Sequence, residues 1–177
     1  MDRTPHEIVN PLALADPVGF SHALVVRPGR VVHVGGQISR RSDGKVIGES
    51  LVQQFDQALA NVVEALRAAG AEPSHVIDMR VYTTSMASYR VNSGTIGSVY
   101  RRHMGRYYPP MTTVGVSGLL DPDALVEVVC TAVVPDVSED EPLVEGEGQV
   151  LVEEAEEALV AEPFAADVPE GPGPARP

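Results

Sequence analysis

Tryptophan is absent, cysteine occurs once, and aromatic residues make up only 5% of the 177-residue chain. A single cysteine excludes an internal disulfide and a cysteine-based metal site. With so few rings, the interior has to be built from Val, Leu, Ile and Ala. No apolar run reaches the ~20 residues that cross a bilayer. Residues 1–17, MDRTPHEIVNPLALADP, lack the basic start and apolar stretch of a secretory leader. These absences predict a cytoplasmic protein with no membrane partner.

Charge of either sign is missing from the net balance of the first three quarters of the chain. The whole sequence carries a formal charge of −12, but residues 136–177 hold 13 Asp and Glu against one Arg. Residues 1–135 are left with 12 acidic and 12 basic side chains. Six of the 15 prolines also lie in the last segment. The composition shift sets a boundary: a domain over 1–135 and an acidic, Pro-rich tail over 136–177. A tail so charged buries too little apolar surface to offset its chain entropy, and it is expected to be disordered. A neutral body and an acidic tail give no electrostatic basis for binding nucleic acid. Val150–Ala161, VLVEEAEEALVA, reads as a solvated linker or as a motif that docks on a protein partner.

What is present is a succession of short apolar segments. FSHALVV (20–26) and VVHV (31–34) flank Arg27-Pro28-Gly29-Arg30, which has the residues of a type II turn, so a β-hairpin is predicted. Gly35-Gly36 allows a bulge or a close backbone approach. Ser50 and Gln53 form a capping box at the start of a helix. Its stripe is Leu51, Phe55, Leu59, Val62 and Leu66, and Gly70 is its stop. Ile77–Thr84 reads as a strand. Met86–Met104 reads as a second helix, interrupted at Asn92-Ser93-Gly94. Strands over 111–117 and 125–134, joined by a turn at Leu120-Asp121-Pro122-Asp123, complete a second predicted hairpin. The order hairpin, helix, strand, helix, hairpin predicts an α+β fold: one mixed sheet with two helices on one face. The last strand is apolar on both sides, so the bare face predicts self-association.

Glu127 is the one carboxylate in that last strand. Buried without a partner it costs several kcal/mol, roughly the effective penalty for an isolated ion. It reads as a general base or water-positioning group, or else as a carboxylate that accepts backbone hydrogen bonds or pairs with an arginine. Cys130, in the same strand, reads as a buried structural thiol. The five histidines show no metal-ligand spacing.

The motifs resemble the RidA (YjgF) family of reactive-intermediate deaminases. The resemblance is carried by Gly19-Phe20-Ser21-His22-Ala23, Val32-His33-Val34-Gly35-Gly36-Gln37, Leu66–Ala71 and Val81-Tyr82-Thr83-Thr84. Val99-Tyr100, Pro110-Met111-Thr112-Thr113-Val114-Gly115-Val116 and Leu125-Val126-Glu127-Val128 complete it. It covers roughly residues 17–135 and implies a chorismate-mutase-like fold, a homotrimeric barrel and pockets between subunits. It also implies hydrolysis of enamines or imines to ketoacids and ammonia, with no metal or organic cofactor.

The chain departs from the family where the resemblance implies a substrate-binding arginine. The Pro-x-Arg-Ser/Thr motif here reads Pro109-Pro110-Met111-Thr112, and a thioether cannot make the bidentate contact of a guanidinium. Phe20 stands where the family's pocket tyrosine is expected. Asn92 is the candidate for the family's helix-two asparagine, across a short insertion near Ser93–Ile96. The resemblance thus gives Glu127 as the catalytic candidate, with Phe20, Gly36, Asn92, Met111, Thr112 and Thr113 around a small-molecule ligand. Arg80, Arg90, Arg101 and Arg102 are alternative cations. The expected activity is on a small imine, enamine or related reactive metabolite, with weak or no action on standard 2-imino acids. The alternatives are a non-catalytic small-molecule-binding or scaffold trimer, or a tailoring enzyme of a specialised pathway.

Overall fold

Leu51, Phe55, Ala58, Leu59, Val62, Val63 and Leu66 fall on one side of α1 (Leu51–Ala68), and all are buried. The predicted capping box closes the start of this helix. The Gln53 amide donates to Ser50 Oγ over 3.3 Å, and the Ser50 amide donates back to Gln53 Oε1 over 3.2 Å. Gly70, at φ 69°, takes the left-handed conformation that ends it. The computed structural model describes residues 3–136. The tail predicted over 136–177, apart from Asp136, and its Val150–Ala161 motif lie outside the described residues.

The apolar side of α1 packs on a four-stranded mixed sheet formed by β3 (Gly29–Gln37), β6 (Val126–Pro135), β4 (Val76–Thr83) and β5 (Met111–Gly115), in that spatial order. Only β4 and β5 run parallel. A parallel pair needs a long crossover. It is supplied by α2 (Met86–Val91) and α3 (Ser93–Met104), the predicted second helix broken at Asn92.

Two predicted pairings are overturned. The expected hairpin between residues 20–26 and 31–34 does not form. Its first strand, β2 (Ala23–Val25), pairs instead with β1 (Glu7–Val9) in a separate two-stranded ribbon. Gly29 lacks the positive φ of a type II turn and already belongs to β3. A Cβ there would lie 2.7 Å from Pro135 Cα, so the glycine serves close contact with the end of β6. Residues 111–117 and 125–134 do not form a hairpin either, because β4 lies between them. The turn near Asp121 is made, with the Ala124 amide donating to the Asp121 carbonyl over 3.1 Å, but it joins strands that are not neighbours. Both outcomes have one cause. β6 is apolar on both faces and takes a central place, where β3 and β4 can flank it.

The register separates the two faces of the sheet. Val32, Val34, Met79, Val81, Val126, Val128 and Cys130 point toward the helices and form the core. His33, Arg80, Tyr82, Glu127, Val129 and Thr131 alternate with them and point to the other face. There Val31 is 52% exposed and Val114 40%. The N-terminal segment crosses one end of the sheet. It is fixed by buried His6, whose Nε2–H donates to the Val133 carbonyl over 3.1 Å while Nδ1 accepts from the Arg27 amide over 3.3 Å. Among the described residues, no helix is long and apolar enough to cross a membrane.

Candidate active site

Gly35 and Gly36 of β3 shape the backbone around Glu127. Val34 pairs with Cys130 and Gln37 with Val128, so Gly35 and Gly36 together oppose Val129. This is the predicted bulge, with two residues facing one. Glu127 extends over the bared backbone. A Cβ on Gly36 would overlap Glu127 Oε1 and lie 2.6 Å from its Cδ. The missing side chain is therefore the space that the carboxylate occupies. Glu127 is half-buried, and among the described residues its carboxylate has no hydrogen-bond or ion-pair partner. An acceptor so placed, on an open sheet face, is available to a water molecule or a ligand proton.

The other predicted residues divide between the two faces. Thr112 is exposed on β5 and pairs with Arg80, which pairs in turn with Val129 beside Glu127. Met111 and Thr113 point the other way. Met111 is half-buried and packs on the core, in register with fully buried Met79. Thr113 lies beside the Tyr89 phenol, whose ring packs edge-on against Phe55. Burial raises the pKa of Tyr89, which keeps the phenol neutral. Asn92 lies on the helical layer between α2 and α3, and its Nδ2 donates to the Ser88 carbonyl over 2.8 Å.

Phe20 is 38% exposed and packs edge-on against His22 at 5.3 Å. The next residue, Ser21, ties this segment to the approach of β5. Its hydroxyl donates to the Tyr108 carbonyl over 2.5 Å and its amide to the Pro109 carbonyl over 3.3 Å. One chain therefore groups Glu127, Gly36 and Thr112 on the open face. It ties the segment of Phe20 to the chain just before β5, with Met111 and Thr113 directed to the helical side. A cleft of about 450 Å³ between the end of β3 and α1 includes Gly36 in its lining but none of the other six predicted residues.

Of the four arginines weighed as substitute cations, Arg80 alone shares the sheet face of Glu127. Arg90, Arg101 and Arg102 belong to the helical layer. Arg102 pairs with Asp56 at 2.7 Å, and His103 shares that carboxylate at 2.5 Å. Burial pushes the Asp56 pKa upward, but the His103 and Arg102 hydrogen bonds outweigh it and hold the carboxyl below its ordinary value. Strand alternation alone assigns Arg80 a side of β4. The signal that joins it to Glu127 is the cross-strand register, which the sequence does not carry. Among the described residues, no cluster of His, Cys, Asp and Glu is arranged to hold a metal. Burial pushes the Cys130 thiol up to about 12, so it is a core residue and a poor nucleophile.

Comparison with known proteins agrees with this architecture. A mitochondrial protein of Saccharomyces cerevisiae, MMF1, is 26% identical over 117 residues, covering 66% of this chain and 78% of its own. The mouse 2-iminobutanoate/2-iminopropanoate deaminase is 25% identical over 99 residues, covering 55% and 70% respectively. The crystal structure of YyfB from Yersinia pestis, a Rid-family protein of unknown function, superposes with a TM-score of 0.67 at 31% identity. It covers 76% of this chain and 100% of YyfB. The family model described as endoribonuclease L-PSP matches residues 12–134. That model covers most of the chain, and the chain belongs to the endoribonuclease L-PSP family, the group of RidA and YjgF.

Proposed function

We propose that this protein hydrolyses a small imine, enamine or related reactive metabolite in a site completed by a neighbouring subunit of a homotrimer. The observation that carries the reading is the unpartnered Glu127 carboxylate lying over Gly36 on the uncovered face of the sheet. Support comes also from relatives named as 2-iminobutanoate/2-iminopropanoate deaminases. The division of the candidate residues between two faces favours assembly from two chains, with Glu127 and Gly36 from one and Phe20 and Met111 from the next. The body of the chain carries balanced charge, which argues against the polyanion suggested by the family's endoribonuclease description.

Glu127 would accept a proton from water as the water oxygen bonds to the imine carbon. The C=N π pair moves to nitrogen, which takes that proton from Glu127, and a carbinolamine results. Glu127 then takes the carbinolamine hydroxyl proton and passes it to the amine nitrogen, so that ammonia leaves as the carbonyl forms. Met111 occupies the position that the family resemblance gives to the carboxylate-binding arginine, so compact 2-imino acids are expected to be poor substrates.

The test is ammonia release from a panel of imines generated in situ by an amino-acid oxidase, comparing the native chain with Glu127→Gln. Loss of about 10²–10⁴-fold is expected for a removed general base. Equal rates for the two proteins, or no acceleration on any imine, would sink the hydrolase reading and leave a ligand-binding trimer. Met111→Arg is expected to raise turnover of 2-imino acids.

A further inference from the structure

The cleft between the end of β3 and α1 lies apart from the proposed reaction, whose residues it meets at Gly36 alone. Glu64, Ala65 and Ala68 of α1 form one wall. The cleft therefore opens along the helix and not on the bare sheet face where subunits are proposed to meet. Small residues create it: Gly36, Ala65 and Ala68 leave a space of about 450 Å³. Small-molecule sites span roughly 300–1,000 Å³. The facing wall is the loop that follows β3, and it is fixed from two sides. Asn61 on α1 donates through Nδ2 to the Ile38 and Arg40 carbonyls, each over 2.9 Å, and its Oδ1 accepts from Gln57 over 2.9 Å. The loop also closes on itself. The Arg41 amide donates to the Lys45 carbonyl and the Gly44 amide to the Arg41 carbonyl, each over 2.9 Å. A wall held in this way is ordered before any ligand arrives, which lowers the entropy cost of binding.

The charges of the two walls are left apart. Arg40 is neutralised by Asp121 at 2.5 Å. The Arg41 guanidinium on the loop and the Glu64 carboxylate on the helix line the same cleft, yet among the described residues neither has an ion-pair partner, the other included. The Ser42 hydroxyl beside Arg41 makes no hydrogen bond among the described residues either. One unmatched cation and one unmatched anion on opposite walls suit a ligand that carries both signs, and a simple anion or amine would leave one wall unmet. Ile38, Ala65 and Ala68 add an apolar lining. We infer that this cleft binds a free amino acid with an aliphatic side chain. Its carboxylate is held by Arg41, in the bidentate manner of a guanidinium, with Ser42 as a further donor. Its ammonium is held by Glu64, and its side chain lies on Ala65, Ala68 and Ile38. Such a ligand touches Gly36, the residue that Glu127 lies over. Its binding needs no hydrolysis, so this site stands or falls apart from the reaction proposed above.

The test is titration calorimetry of the full-length protein with L-leucine, 4-methylpentanoate and 3-methylbutylamine. The last two are leucine without its amine and without its carboxylate. The native chain is expected to bind L-leucine about tenfold or more tightly than either half-ligand, because one charge-assisted contact is worth at least about that factor. Arg41→Ala is expected to erase the preference for L-leucine over 3-methylbutylamine. Glu64→Gln is expected to erase the preference over 4-methylpentanoate. Both side chains are exposed, so the thermal midpoint is expected to stay where it is. Ala68→Leu, at an exposed helix position, is expected to fill the cleft and weaken L-leucine by about tenfold or more with the fold intact. Glu127→Gln, outside the cleft, is expected to leave L-leucine binding unchanged. No binding of L-leucine by the native chain, equal affinity for a half-ligand, or unchanged selectivity in Arg41→Ala or Glu64→Gln overturns the inference. Loss of L-leucine binding in Glu127→Gln overturns it as well, since the amino acid would then occupy the hydrolytic site.

Discussion

Replacing Gly36 with alanine separates the site from the fold. The new Cβ would lie 2.6 Å from Glu127 Cδ and overlap its Oε1. Carbon atoms settle at about 3.5–4.0 Å, so the carboxylate has to retreat by roughly 1 Å or more. The obstructed atoms are the free end of a flexible side chain, so the retreat strains no backbone. Removing a glycine from a strand stabilises by about 0.5–1 kcal/mol through the unfolded chain. The urea midpoint of Gly36→Ala is therefore expected to be unchanged or slightly raised. Catalysis is far more sensitive, since a displacement of about 1 Å can cost 10²-fold. That is ~2.7 kcal/mol of transition-state stabilisation at ~1.36 kcal/mol per tenfold. The assay is ammonia release from the best imine substrate, alongside urea denaturation, for Gly36→Ala, Glu127→Ala and the double variant. If the two residues act together, the double variant loses no more than Glu127→Ala alone. Full activity in Gly36→Ala, with Glu127→Ala inactive, would refute the placement of the working carboxylate over Gly36. Destabilisation beyond ~2 kcal/mol would refute the claim that only a side chain has to move, because that loss is the range of overpacking a rigid interior.

Gly29→Ala is the contrasting case, since its Cβ meets the backbone of Val134 and Pro135. It is expected to lower stability by about 1–3 kcal/mol in urea denaturation, as overpacking does. His6 is buried, and burial, the largest cause, lowers its pKa below 6.5 and outweighs the backbone hydrogen bonds with Val133 and His75, which raise it. Its unfolded form binds the proton first, so its contribution is complete above 6.5 and fades as pH falls from there toward the lowered folded value. His6→Gln is expected to flatten the stability profile across pH 5–7, and an unaltered slope would exclude His6 as its source. Cys130, buried and with its pKa pushed up to about 12, is expected to resist iodoacetamide at neutral pH in the folded protein and to react fully in urea, as read by intact mass.

The first helix was legible to its last turn. A cap, a stripe at helical spacing and a terminal glycine act within a few residues of one another, so local sequence fixes them. The bulge at Gly35-Gly36 was legible as well, although a Cβ on Gly35 would meet nothing and only Gly36 is closely approached. Strand pairing was not legible. The three residues of β2 satisfy β1 as readily as β3. The turn after Leu120 looked like a hairpin because turn chemistry does not specify the strands that a turn joins. The candidate site was partly legible. Glu127 stood out as a charge in an apolar strand, whereas Arg80 was one arginine among four.

Local sequence determined which residues alternate on each strand, where α1 begins and ends, and that residues 1–135 balance their charge while the remainder is acidic. Tertiary structure alone decided that β6 lies between β3 and β4. Choosing a neighbour is a competition between distant segments for the same backbone hydrogen bonds, settled by which arrangement buries both faces of the most apolar strand. That choice puts Glu127 over Gly36, sets Arg80 across Val129 from it, and turns Met111 toward the core.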